Sequence, residues 1–496
     1  MTLNAGWPEV CGVVAAIGLL LLLGRALLTL FVREITFEWA EVWALSFLMG
    51  AGGISLLLFW LGPLFSVVSA RWLVSLTVLG LALCALPRGG NERDRTGDAG
   101  SARGGEPRWI LWVLSVGIGV QCAALVLMAF QSSLGWDGLI NFEIKARMAF
   151  ANQPSGRIPL AYFSDASRPW SHPAYPLLVP LTEYWLYSWI GQPHQSLIKL
   201  LFPGFYLSLA GLFYGALRRL LTTRDALLGC LALGLLPSLA IGSGAAISGY
   251  ADVPLAAAGF GSMAFAYFAL RTGARGHFVA AALLSSVAVW TKREGLVLAA
   301  YVLIAVAIIQ LARARRERRS LKAAMRGVWW LLAGPALVVG PWWLLQWWYR
   351  VADQDFAAVT VSTLQANLSR VPVIAGLFAR ELIRPGHWGL LWPAFGVTLA
   401  LSVRRLRDAS EQFLVGAVLF PMGVYASSFV FSAWPQFTEH VGTALPRLLI
   451  PLAPVALAVT IWHLRECLIA LPSDRSSLPF IDRRAAVPTP GRSLAD

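Results

Sequence analysis

The chain has 496 residues, 57% of them apolar and only 13% charged, and its mean hydropathy is +0.64. That balance excludes a soluble globular protein, because several runs reach the roughly 20 apolar residues that span a hydrocarbon core. The net charge of +14 could suggest a nucleic-acid partner, yet the basic residues punctuate apolar runs instead of forming one patch, so none is expected.

In chain order, the first apolar run (Val10 to Val32) lacks a basic leading region and a small-residue cleavage site, so it reads as a retained helix. Hydropathy predicts thirteen spans, at 10–32, 39–61, 64–87, 109–132, 196–217, 225–242, 250–270, 277–290, 295–311, 327–349, 387–403, 412–432 and 448–464. The expected fold is therefore all-α, a polytopic transmembrane helical bundle. Arginine clusters fall at 88–108, at Arg218, Arg219 and Arg224, at 313–326, at Arg404, Arg405 and Arg407, and after Arg465. Cytoplasmic loops accumulate such residues, which predicts an outside N-terminus and outer loops at 131–173, 242–249, 291–295, 350–386 and 432–445. The composition fits a bacterial inner (plasma) membrane.

Three segments read differently. Ala174 to Ile190 is apolar but carries Pro176, Pro180 and Glu183, which predicts a half-inserted or interfacial helix on the outer side. Ser362 to Arg384 is amphipathic and is expected on the outer surface. The polar, Pro-containing residues 471–496 read as a disordered cytoplasmic tail.

Four stretches could carry chemistry. If Trp136 to Phe150 is helical, Asp137, Asn141 and Lys145 recur every four residues and share a face. A carboxylate at the mouth of a bundle can act as a general base; the alternative is a solvated acid paired with Lys145 or Arg147. Asp252 opens an apolar helix, either as a first-turn acid favoured by the helix dipole or as a second functional carboxylate. Lys292 and Arg293 lie between two short apolar runs, where a cation could bind phosphate or simply pair with Glu294. Arg447, entering the last span, is a phosphate-clamp candidate, and His440 is a structural hydrogen-bonder or a phosphate ligand. The six histidines show no metal-ligand spacing and the five cysteines no pairing pattern, so no metal site is expected.

Together the stretches WDGLINFEIKAR, HPAYPLLVP, GYADVPLA, TKREGL and the His440 to Arg447 segment resemble the GT-C superfamily of membrane glycosyltransferases. The likeness is to the branch of dolichyl-phosphate-mannose protein mannosyltransferases and bacterial aminoarabinose transferases. It covers roughly residues 109–470, with 1–108 as additional N-terminal helices and a cytoplasmic loop. The resemblance implies a sugar donor on polyprenyl phosphate and an inverting transfer on the outer face. Asp137 would be the base, Asp252 a second catalytic acid, and Lys292, Arg293, His440 and Arg447 would hold the lipid phosphate. Asn141, Lys145, His172 and Tyr175 are candidates for substrate contact. No cofactor is expected, with a divalent cation left open. Position 138 is Gly where protein mannosyltransferases have the second acid of an Asp-Glu pair, and no sizeable outer domain is predicted. Both favour a lipid- or glycan-linked acceptor. The competing expectations are a transporter or flippase of lipid-linked saccharides and a surface-polysaccharide polymerase or ligase.

Overall fold

The computed structural model describes residues 6–32, 35–86, 106–152, 157–165, 167–318, 320–351 and 355–470. Expectations for the basic loop 88–105 and the tail 471–496 lie outside these. The described residues are helical throughout, with no strand beyond one isolated bridge between Phe356 and Ser432.

Nine described helices are long and apolar enough to cross a membrane, and a tenth forms if Phe437–Leu449 and Ala453–Ile469, bent by 50°, count as one broken span. The chain is thus a multi-pass helical bundle, and three of the thirteen expected spans are shorter than those helices. Thr223–Gly234 has 12 residues, Arg275–Thr291 has 17 and Leu391–Leu401 has 11. Pro237 starts a separate turn after the first of these, and the second is enclosed by neighbouring helices along nearly its whole length. Hydropathy cannot separate a buried helix from a lipid-facing span of similar composition. The run after Lys292 errs the other way: it is a helix of 23 residues, Glu294–Arg316, which carries its arginines inside its last turn.

Ala174 to Ile190 holds a short helix packed inside the bundle. This helix, Leu178–Ile190, has 13 residues, about 20 Å at the helical rise, and nearly all are buried. Glu183 is fully enclosed and neither carboxyl oxygen has a hydrogen-bond partner. An isolated carboxylate is costly in such surroundings. Arg370–Leu382, by contrast, is amphipathic as expected and buries Ile374 and Phe378.

The three N-terminal helices share one hydrophobic core with the rest. Trp7–Phe31 and Trp39–Leu61 touch backbone to backbone, since a Cβ at Gly24 would lie 1.7 Å from the Ser46 carbonyl and one at Gly50 1.9 Å from that of Leu20. Small residues permit this approach, which gives membrane helices their van der Waals attraction. Trp290 donates to Ser55 Oγ at 2.9 Å and Trp185 to the Ala16 carbonyl at 3.0 Å, tying these helices to later ones.

The basic clusters gather at one end. Arg271 lies 3.7 Å from Glu411, Arg405 3.4 Å from Glu466, and Arg465 2.9 Å from Asp225. Arg271 ends the helix that Asp252 begins. Nineteen residues of rise put about 28 Å between them, so the chemistry-bearing loops lie at the opposite end.

Candidate active site

Each charge of the centre sits at a helix end of matching sign. Asp252 opens Asp252–Thr272, Glu294 opens Glu294–Arg316, Lys292 caps the C-terminus of Arg275–Thr291, and Arg447 lies in the last turn of Phe437–Leu449. Helix dipoles favour acids at N-termini and bases at C-termini. Gly295 lets two of these ends meet, because a Cβ there would lie 2.0 Å from the Ala288 carbonyl.

The four predicted residues Asp137, Asp252, Lys292 and Arg447 converge. Lys292 Nζ lies 2.7 Å from Asp252 Oδ1 and 3.0 Å from Glu294 Oε1. Arg447 Nε lies 3.2 Å from Asp252 Oδ2, and its NH1 lies 2.6 Å from Asp137 Oδ2. The result is an alternating chain, Asp137, Arg447, Asp252, Lys292, Glu294, of three acids and two bases. Asp252 is 1% exposed and Lys292 3%, while the Asp137 and Arg447 side chains are each 16% exposed. The chain is therefore enclosed at its middle, Asp252 and Lys292, and partly exposed at both ends, where the Asp137 side chain is 16% exposed and that of Glu294 20%. Asp252 is thus a first-turn acid as well as a carboxylate gripped by two cations, and Lys292 does pair with Glu294, in a buried setting instead of on the surface.

Close packing of glycines brings Asp137 in. Gly135 N–H donates to the Ser248 carbonyl at 2.8 Å. A Cβ at Gly138 would lie 2.7 Å from that same oxygen, and one at Gly135 would lie 2.6 Å from the Tyr250 ring. The absence of an acid at 138 is thus steric: no side chain fits there. Tyr250 in turn lies under the Arg447 guanidinium, 4.6 Å from ring centre to carbon, a contact favourable to a partly desolvated cation. Gly244, at φ +85°, also abuts the centre, with a Cβ position 3.1 Å from Asp252 Oδ2.

The helix after Asp137 starts as a π-helix, Gly138–Glu143, and continues as Ile144–Ala151. A π turn widens the helix, so the four-residue repeat of Asp137, Asn141 and Lys145 does not stay on one face. Asn141 is 1% exposed with both side-chain polar atoms unpartnered. Lys145 is also buried and donates to the His172 carbonyl at 3.0 Å; burial pulls its pKa down to about 7. Arg147 pairs with Glu143 at 2.7 Å, not with Asp137.

His172 and His440 belong to a second group. His172 Nδ1 lies 3.4 Å from Asp355 and its ring stacks on Tyr175 at 4.7 Å. His440 stacks on Trp434 at 4.7 Å and shares a hydrogen bond of 2.8 Å with Ser432 Oγ. It stands two turns from Arg447 along the helix, in an aromatic box of Phe356, Phe429 and Trp434. Although burial opposes it, the His172 hydrogen bond holds the Asp355 carboxyl below its usual range. Tyr175 lies between the two groups, and burial followed by the Glu294 charge raises its phenol above the ordinary range. Arg293 follows Lys292 at a partly exposed position.

Sequence reasoning did not single out Asp355, Tyr250 or Tyr425. Tyr425 is buried with its hydroxyl unpartnered, and Glu294 Oε2 is likewise buried without a partner. Asp355 had no local signal, since its partners come from residues 172 and 434. No cluster of three potential metal ligands occurs among the described residues. A comparison of the sequence with protein-family models gives no match, and a search of curated proteins gives none either.

Proposed function

We propose that this protein is a glycosyltransferase that takes a sugar from a polyprenyl-phosphate donor and passes it to a lipid- or glycan-linked acceptor. Its working face is the outer side of a bacterial inner membrane, and the seat of catalysis is the Asp137 end of the charged chain. The observation that carries this reading is the 2.6 Å contact between Arg447 and Asp137. In the free protein the guanidinium occupies that carboxylate. A donor phosphodiester competes with Asp137 for Arg447, because guanidinium binds phosphate and carboxylate alike through paired N–H donors. Once exchanged, Asp137 is unpaired and accepts the proton of an acceptor hydroxyl.

The hydroxyl oxygen bonds to the anomeric carbon as the bond from that carbon to the phosphate oxygen breaks. The bonding pair leaves with polyprenyl phosphate, whose charge grows by one, and the fixed guanidinium stabilises that growth. Attack opposite the leaving group inverts the anomeric centre. Asp252 positions Arg447, and Lys292, enclosed between Asp252 and Glu294, anchors Asp252. Lys292 reaches the phosphate only by releasing Glu294, whereas Arg293 offers a second cation at the rim.

The test is mass spectrometry of envelope glycans and glycolipids from a deletion strain complemented with wild type, Asp137→Asn or Arg447→Gln. Wild type should restore one sugar to one glycolipid or glycan and neither variant should. Full restoration by both variants refutes the assignment. A second reading, a carrier of lipid-linked saccharides, draws on the same closed chain, because both cations are already matched by acids as at a coupling site. Proteoliposomes holding donor without acceptor distinguish them: a carrier moves the donor across, whereas a transferase leaves it in place.

A further inference from the structure

At the basic end, about 28 Å along the helix from Asp252, four helix ends enclose a cavity of about 530 Å³. They are the C-termini of Asp252–Thr272 and Glu294–Arg316 and the N-termini of Arg275–Thr291 and Leu321–Trp348. Each supplies one arginine to the lining, in order Arg271, Arg313, Arg275 and Arg326, and Glu317 is the one carboxylate that lines it. Four positive charges against one negative leave a formal excess of three within a single cleft.

The four guanidiniums are not equivalent. Arg271 is held by the Tyr267 hydroxyl at 3.2 Å and by Glu411, and Arg313 by the Leu270 carbonyl and Ser410 Oγ. Those two form a fixed wall. Arg275 lies over the Trp330 ring at 5.4 Å, and neither it nor Arg326 has an ion pair or hydrogen bond among the described residues. Two uncommitted guanidiniums facing a polar cavity of ligand size call for an anion with several acceptor oxygens. Three of the four helices that form the cleft are long and apolar enough to cross a membrane, and the cleft lies at their ends, beside the exposed Trp330. An occupant with an anionic head in the cleft and apolar tails in the surrounding bilayer fits that position.

We infer that this cleft holds the phosphate-bearing headgroup of an anionic membrane lipid, in the leaflet opposite the Asp137 to Glu294 chain. Arg275 and Arg326 bind the phosphate, Arg271 and Arg313 set the field around it, and Trp330 positions Arg275. Basic pockets between membrane helices recognise anionic headgroups by this chemistry. The inference holds whatever reaction occurs at the other end.

The experiment uses the full chain, purified in dodecyl maltoside and reconstituted in nanodiscs containing phosphatidylglycerol in phosphatidylcholine, with bound lipid read by native mass spectrometry. Wild type should retain phosphatidylglycerol over phosphatidylcholine. Arg275→Gln with Arg326→Gln should weaken that retention about thirtyfold, given the contribution of each base near an anionic lipid. Arg275→Lys with Arg326→Lys should recover part of it, since charge returns without the planar fork. Arg315→Gln with Arg316→Gln removes the same charge from the same end outside the cleft, and should stay within about threefold of wild type. Glycerol phosphate is the soluble competitor. Displacement of the lipid by equimolar glycerol phosphate would assign the cleft to a free phosphate and overturn the lipid. Equal retention by wild type and the glutamine variant, or equal loss in the control pair, overturns the site.

Discussion

Asp252→Asn is the sharpest test of the charged chain, because it changes one oxygen to nitrogen and leaves the volume intact. The carboxylate receives Lys292 at 2.7 Å and Arg447 at 3.2 Å and is 1% exposed. Removing one partner of a buried ion pair costs about 3–5 kcal/mol, chiefly because the other charge is left uncompensated. Here both cations keep a second acid, Glu294 for Lys292 and Asp137 for Arg447, so the lower figure, about 3 kcal/mol, is expected. In a chain of this length that corresponds to a fall of about 3 °C in apparent melting temperature, measured by fluorescence-detected size exclusion after heating. The reasoning makes a second demand. If the loss comes from a stranded lysine, then Asp252→Asn with Lys292→Met should be more stable than Asp252→Asn alone, by about 1–2 kcal/mol. Independent, solvated charges would instead make the two changes add. Additive losses, or a single variant melting within about 1 °C of wild type, would falsify the picture of one coupled network.

Asp137→Asn should behave differently, because Asp137 is partly exposed and Arg447 retains Asp252. Stability should change by less than about 1 kcal/mol while sugar transfer is lost, as read by melting and glycan analysis on the same preparation. Gly138→Asp must push the Ser248 carbonyl away from a contact of 2.7 Å, so it should lower the melting temperature and not supply a second acid; overpacking of this kind costs about 1–3 kcal/mol. Gly244→Ala adds strain at φ +85° and crowds Asp252 without altering any charge, and a loss of about 1–2 kcal/mol is expected. Lys145 supplies a pH signature. Its folded pKa of about 7 lies below the ordinary 10.5, so the unfolded chain binds the extra proton between those values. Stability should therefore rise from about pH 7 to about pH 10.5, by on the order of a few kcal/mol, and Lys145→Met should flatten the rise. A melting curve of identical slope in both proteins counts against a buried, unpaired lysine.

What the sequence made legible was the type of each charge and its place on a helix, and what it left hidden was the partner. Asp252, Lys292 and Arg447 stand out because ionisable groups at the edges of apolar runs are costly and so call for a reason. Their shared centre depends on contacts between residues 252 and 447 and between 137 and 447, which no local spacing encodes. Span length is harder to read where burial replaces lipid. Arg275–Thr291, at 17 residues, is shielded by its neighbours along nearly its whole length, yet it runs from the basic end at Arg275 to Lys292 in the charged chain. Glu183 shows a related limit. An acid in an apolar run is costly against lipid, and here it is enclosed by protein, which hydropathy does not register. Gly138 shows the converse, a departure from a family pattern that composition cannot interpret. The carbonyl of Ser248 occupies the space a second acid would need, so Asp137 stands alone beside Arg447 on this loop. Asp137 and Asp252 are then the two acids that hold the guanidinium, and on the function proposed above an incoming phosphate competes with the more exposed of them.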